Sequence, residues 1–323
     1  MKSFSLKRAA VTALLVWLGS GSSVFSQTSN GGRDAFDFLK VAPVSRAVGV
    51  GGAYTALGDD VGSIAYNPAG LASVLTNEVN FTFLSLYQGI SYEFIAFAYP
   101  MTPSFPGVGG TLALSVDLLQ PGNLPRTDDS GVTIGTFSSA NNIYTLSYAR
   151  SFGPNVQAGL SARLIQQQID TVQSSLVDFD AGIVVLPPFP GMRVGASIKN
   201  VGARGDGFDL PFSLNAGISY RHYDLISEQD DGALTAEAVF PLRPIEDKVG
   251  MRVGAEYNFK WVGSRATLRA GYKLLDNDLG GVGLTLGAGY GLDLNGAVLL
   301  LDYAFAPADI FGSAHRISLT TKF

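Results

Sequence analysis

The chain has 323 residues, 46% of them hydrophobic and only 15% charged, with no cysteine and a formal net charge of −5. Soluble domains carry roughly 25% charged residues, so a water-coated globule is disfavoured, and the low charge with high apolar content also excludes a disordered chain. The absence of cysteine removes disulfide frameworks, thiolate nucleophiles and thiolate metal sites together.

Residues 1–26 read as a cleaved secretory signal. Lys2, Lys7 and Arg8 precede a short apolar stretch over 9–18, and Val24 and Ser26 occupy the −3 and −1 positions before Gln27. That stretch is too short to span a bilayer, and no run of about 20 apolar residues follows it, so helical membrane spans are excluded. Removing the segment leaves 19 Lys and Arg against 27 Asp and Glu, a net charge of −8. No basic patch remains to hold nucleic acid.

Residues 27–77 form a second segment, rich in glycine and without alternation. It carries Arg46-Ala47-Val48-Gly49-Val50-Gly51-Gly52-Ala53, then Asp59-Asp60 and Tyr66-Asn67-Pro68-Ala69-Gly70-Leu71-Ala72. Asp59 or Asp60 is placed to cap a short helix starting near Val61, and Pro68 stops that helix by Tyr66 or Asn67. A stretch so apolar belongs inside the rest of the protein, as a plug. Gly51-Gly52 permits positive φ or close packing. Two adjacent carboxylates without further spaced oxygen ligands are weak evidence for a cation, so capping is the preferred role.

Residues 78–323 alternate with period two in fourteen segments: 78–86, 91–99, 109–118, 141–150, 155–168, 177–186, 191–199, 211–220, 232–241, 248–258, 264–273, 281–290, 295–305 and 313–323. A soluble sandwich would set a charged face in water. Here the polar face is mostly Gly, Ser, Thr and Asn, which suits a confined lumen, while the apolar face is almost free of charge. Tyr220, Tyr257, Tyr272, Tyr290 and Tyr303 fall near the ends of apolar faces, as an interfacial girdle requires. The fold class is therefore all-β: a 14-stranded antiparallel transmembrane β-barrel with a small N-terminal helical or irregular hatch in its lumen.

Phe323 closes the last strand and reads as the assembly signal that outer-membrane barrels present to the barrel assembly machinery. An even strand number then puts both termini in the periplasm of a bacterial outer membrane. Outer loops fall at 119–140, 200–210, 274–280 and 306–312, with 221–231 an unusually long turn on the inner side.

Glu237, Arg252, Glu256, Arg265, Arg269 and Lys273 point inward from consecutive strands, with Asp178, Asp180, Arg193 and Lys199 as a second group of opposed charges. Cross-strand pairs of this kind brace a wall, and they also supply hydrogen bonds that hold a plug. Leu84, Leu86, Ile95, Phe97, Val298 and Leu300 are read as an inward apolar sector, a possible hydrophobic path beside the hatch. His222 and His315 are the only histidines. Ser313 lies two residues from His315 on one face without an evident third group, so no catalytic residue, metal site or cofactor is assigned.

The hatch residues resemble the opening of the PorV/PorQ family, within the wider FadL-like group of fourteen-stranded outer-membrane barrels. The resemblance covers about 33–323, with its specific part in 33–76, and implies that Gly51, Gly52, Asp59, Asp60, Asn67, Pro68 and Ala69 belong to a lumen hatch. It implies a non-enzymatic protein with two open roles. One is passive transport of long-chain fatty acids or similar hydrophobic small molecules. The other is a component of type IX secretion that binds secreted proteins or translocon subunits. A structural envelope protein without cargo is a third reading.

Overall fold

The computed structural model describes residues 36–85, 90–105, 108–120, 122–202, 210–242, 248–275, 282–307 and 313–323. The expected signal segment and Leu86 lie outside these residues.

The described residues form fifteen strands: β1 (Glu78–Ser85), β2 (Ser91–Phe105), β3 (Val108–Gln120), β4 (Asn123–Thr127), β5 (Thr133–Phe152), β6 (Val156–Ile169), β7 (Val172–Val185), β8 (Met192–Gly202), β9 (Ser213–Tyr223), β10 (Asp230–Pro241), β11 (Gly250–Trp261), β12 (Ser264–Leu275), β13 (Gly283–Asp293), β14 (Val298–Pro307) and β15 (Ser313–Lys322). Each pairs antiparallel with its neighbours, β3 pairs directly with β5, and β1 pairs with β15 from Glu78↔Lys322 to Ser85↔His315. Fourteen strands therefore close a barrel, which leaves no sheet edge unpaired. The extra strand, β4, pairs only with the first part of β5, between Asn123↔Ser138 and Thr127↔Thr133. The region expected as a long loop at 119–140 is thus largely a two-stranded ribbon rising beyond the wall. The expected long turn at 221–231 also shrinks, because β9 runs on to Tyr223 and β10 begins at Asp230.

Period-two alternation makes the wall two-faced. On β15, Ala314, Arg316, Ser318 and Thr320 are buried toward the lumen, while Ile317 and Leu319 are exposed outside. Tyr220, Tyr290 and Tyr303 also stand exposed. No helix among the described residues is long and apolar enough to cross a membrane. The exposed apolar belt of the closed strands is the surface a bilayer would cover.

The core lies inside the barrel. A 3₁₀ turn at Asp37–Lys40 leads to a short helix α1 (Ser45–Gly49), and two more 3₁₀ turns follow at Val61–Ala65 and Pro68–Ser73. Val50, Tyr54, Leu57, Ile64 and Leu71 are buried against inward Leu84, Tyr92, Phe94 and the small residues Ala96, Ala98, Ala113 and Ala149 of the wall. The hatch is the hydrophobic core, and the barrel is its shell.

Candidate functional site: the hatch and the chambers beside it

The hatch is seated by close backbone approach on one side and by charge on the other. Gly51 has φ +73°, which glycine adopts without steric cost, and a Cβ on the facing Gly271 would lie 2.0 Å from its backbone nitrogen. Gly182 likewise leaves room for Asn67, whose Oδ1 would meet a Cβ there at 1.8 Å. Part of the glycine excess is therefore clearance between hatch and wall.

Asn67 does more than stop a helix. It is the N-cap of the turn beginning at Pro68, its Oδ1 accepting from the Ala69 N–H at 3.1 Å. Its Nδ2 donates to the Thr55 carbonyl at 2.8 Å and to Ile183 O on the wall at 3.2 Å. Asp60 departs from the capping expectation. It occupies the N-cap position before Val61, but its side chain makes no capping hydrogen bond. Instead Asp60 Oδ2 accepts from Arg46 Nη1 at 2.7 Å and from Tyr54 Oη at 2.7 Å. The guanidinium attracts the carboxylate more strongly than a neutral backbone N–H does.

Arg46 is the centre of this network. Its Nη1 also reaches Asp59 at 2.6 Å, and its Nε and Nη2 reach Glu256 on β11 at 2.9 and 3.1 Å. Glu256 further accepts from Arg269 Nε at 2.8 Å and Arg221 Nη2 at 3.0 Å, and Arg269 continues to Asp302 at 2.6 Å. Burial works against the Asp59 carboxylate, but Arg46, with Arg221 and Arg193, outweighs it and holds the pKa at about 2. Elsewhere Glu237 accepts from the Thr55 N–H at 2.8 Å and faces Arg252 at 3.6 Å. Arg193 donates to the carbonyls of Ala56 at 2.9 Å and Gly58 at 3.0 Å, and Lys199 to that of Ala65 at 2.7 Å. The structure thus brings Glu237, Arg252, Glu256 and Arg269 onto the hatch. Arg265, half-buried, lines the same charged space as Glu256 and Asp302 and forms no direct ion pair among the described residues.

The expected hydrophobic path is not one surface. Ile95 and Phe97 are 44% and 37% exposed, on the outer face. The register settles this: Phe81↔Ile95 and Leu84↔Tyr92 are cross-strand pairs, and paired residues share a face. The run from Phe94 to Tyr99 is apolar on both faces, so alternation alone could not orient it. Leu84 does point inward but is fully enclosed in the hatch core. Leu300 faces a charged space instead, and Val298 is half-buried beside the rim where β15 ends.

Two chambers flank the hatch and share no lining residue. One, of about 280 Å³, opens toward the rim where β15 ends and is lined by Arg46, Asp59, Asp60, Glu256, Arg265 and Leu300 among others. The second, of about 110 Å³, lies toward the far rim, between residues 38–43 and 64–66 of the hatch and the wall at Tyr92, Asp117, Ile143, Arg163, Asn215 and Phe212. Hatch residues Phe36 and Phe38 pack there on Ile143, Ile165 and Leu210. Among the described residues no group of His, Asp or Glu gathers in a metal-binding cluster. Ser313 Oγ approaches His315 Nε2 at 3.3 Å and Tyr303 Oη contacts Nδ1 at 2.7 Å, all on the exposed outer face, with no carboxylate joined to them among the described residues.

Of the residues that organise this site, Arg46, Tyr54, Arg221, Asp302, Asp117 and Asn215 were not singled out as site residues from sequence. For Arg46 and Tyr54 the signal was polarity inside an otherwise apolar segment. For Asp302 it was an acid in the inward row of β14.

The fold is shared with solved membrane channels. The toluene transporter TbuX of Ralstonia pickettii matches with a TM-score of 0.59 at 14% identity, over 89% of this chain and 99% of that one. The toluene transporter TodX of Pseudomonas putida gives 0.51 at 11%, over 80% and 92%. A FadL homologue from Pseudomonas aeruginosa gives 0.52 at 10%, over 87% and 98%. At these identities the likeness is one of fold: this chain folds as a closed barrel similar to those of FadL-type channels. No family model matches it, and no curated protein sequence does either.

Proposed function

We propose that this protein sits in the bacterial outer membrane and lets small hydrophobic molecules cross by diffusion, without catalysis. The observation that carries this reading is a lumen closed by an apolar hatch with a partly apolar chamber on its far side. A water-filled porin belongs to wider barrels of 16–18 strands. The FadL-type fold supports the same conclusion, and TbuX and TodX, which share it, are toluene transporters. In this reading the rim where β15 ends faces the periplasm, lipid covers the outer belt, and the strand ending at Phe323 engages the barrel assembly machinery. Proteoliposomes carrying the full chain are expected to accelerate entry of toluene or a fatty acid while passing little ionic current. Large, steady conductance would overturn the proposal.

The β4–β5 ribbon supports a second reading, that of a PorV-like protein in type IX secretion. Val132 and Ile134 near its tip are 59% and 62% exposed, a surface suited to a protein partner. Co-purification of translocon subunits or secreted proteins, lost when Val132 and Ile134 are both changed to Ser, would favour it over transport.

A further inference from the structure

Asp302 stands between two arginines, and only one of them holds it. The register sets three lumen-facing rows across β12, β13 and β14: Arg269–Gly287–Ala304, Thr267–Gly289–Asp302 and Arg265–Gly291–Leu300. Asp302 is in the middle row. Arg269 lies one row toward the far rim, and Arg265 one row toward the rim where β15 ends. Arg269 spans its diagonal and donates to Asp302 at 2.6 Å. Arg265 is placed symmetrically, so the same side chain reaches Asp302 from the other side.

The floor between them is clear. A Cβ at Gly289 would lie 2.4 Å from Asp302 Oδ1 and 3.2 Å from Arg269 Nη1. A Cβ at Gly291 would lie 2.7 Å from Arg265 Cγ, 2.9 Å from its Nε and 2.8 Å from Leu300 Cδ2. Both arginines thus lean across β13 toward β14, where one meets a carboxylate and the other meets Leu300. Arg265 is also pushed that way, because Lys260 sits directly opposite it on β11, and like charges so placed repel.

The neighbouring groups are occupied. Arg46 and Arg221 are held by Glu256, Lys260 by Asp231 and Lys322 by Glu78. Thr267, in the row of Asp302, donates to Asn258 at 2.7 Å. Among the described residues the Arg265 guanidinium pairs with no carboxylate.

Glu256 decides which arginine holds Asp302. It faces Arg269 across the strands and takes its Nε at 2.8 Å, which aims Nη1 at Asp302. Arg46 of the hatch docks on the same Glu256 through two hydrogen bonds. A shift of Arg46 would leave Glu256 short and draw Arg269 onto it, away from Asp302. A buried carboxylate without a partner is costly, and Arg265 is the cation within reach.

We propose that Arg265 is a reserve partner for Asp302, moving from its place over Gly291 to the carboxylate whenever Arg269 is drawn toward Glu256. The wall then holds no bare acid while the hatch shifts, and the hatch can return to the same register. This exchange concerns how the plug is held, whatever crosses the barrel.

The test is the rate at which the full chain in detergent loses its folded gel band in urea. It is read for Arg265→Gln alone and in two backgrounds, Arg269→Gln and Arg46→Gln. Alone, Arg265→Gln should change the rate by less than about twofold. It should raise the rate about tenfold in Arg269→Gln and about threefold in Arg46→Gln. Adding Asp302→Asn should abolish both increases, because the acid to be rescued is then gone. The same small effect in every background overturns the inference, as does an increase that persists with Asp302→Asn. If Arg269→Gln fails to form a barrel, the Arg46→Gln background decides.

Discussion

The two chambers separated by the hatch are built on opposite principles. Toward the rim where β15 ends, acids and bases outnumber apolar groups, and Arg46, Arg221 and Arg269 converge on Glu256. Toward the far rim, fewer charges line the space and about half of the lining residues are apolar. The hatch is thus fastened by ion pairs at one end and by shape at the other. A plug held this way can yield at its apolar end while its charged end keeps it in register with the wall.

The contrast breaks most completely if clearance is lost. Gly271→Val would place side-chain atoms where the backbone of Val50 and Gly51 now passes. It is expected to unseat the hatch and convert the barrel into a pore with large, steady conductance in planar bilayers, while the barrel band on unheated gels persists. An unchanged closed state would mean the hatch is not held by that contact.

The charged end is tested by Glu256→Gln, which leaves three arginines around a neutral amide. Breaking a buried pair costs about 3–5 kcal/mol. The thermal midpoint should fall markedly, and protease should cut the hatch before the wall. A variant as stable as the natural protein would assign the fastening to packing alone.

Acid offers a graded version. The Asp59 pKa is depressed to about 2, below its unfolded value near 3.9. Its contribution is therefore complete above about pH 5 and is lost as pH falls through about 4 toward 2. Hatch protection against protease should be flat from pH 7 to 5 and decline below 4. Weakening between pH 7 and 5 would point to a different group. The smallest effect belongs to Arg265→Gln, which removes no ion pair and should move stability by no more than about 0.5 kcal/mol. A larger loss would place Arg265 in the fastening network.

Much of this architecture was legible from alternation. Strands such as Gly283–Asp293 carry glycine and threonine on one face and leucine and tyrosine on the other, so their position and orientation could be read directly. Orientation failed at Ile95 and Phe97, where both faces are apolar and only the pairing with β1 distinguishes them. The lumen charges were visible one strand at a time, but their convergence on Arg46 was not, because it depends on contacts across some 210 residues. Asp60 illustrates the same limit: local spacing indicated a cap, and a distant guanidinium and Tyr54 claimed the carboxylate instead.

The junction of the first and last strands governs the order of assembly. Asn77 and Phe323 exchange backbone hydrogen bonds of 3.0 and 2.9 Å, and Lys322 reaches Glu78 at 2.6 Å across a separation of 244 residues. Such a contact closes a very long loop, and the hatch closes longer ones still, Arg316 reaching the Ala42 carbonyl across 274 residues. The hatch precedes β1 and meets the wall on both sides of the seam, on β1 to β3 and on β12 to β15, so its last contacts and the seam form together. It is enclosed by the closing sheet and does not have to be threaded through a finished one. Pulse-labelled protein should accordingly acquire protease protection in the hatch and at the β1–β15 seam at the same rate.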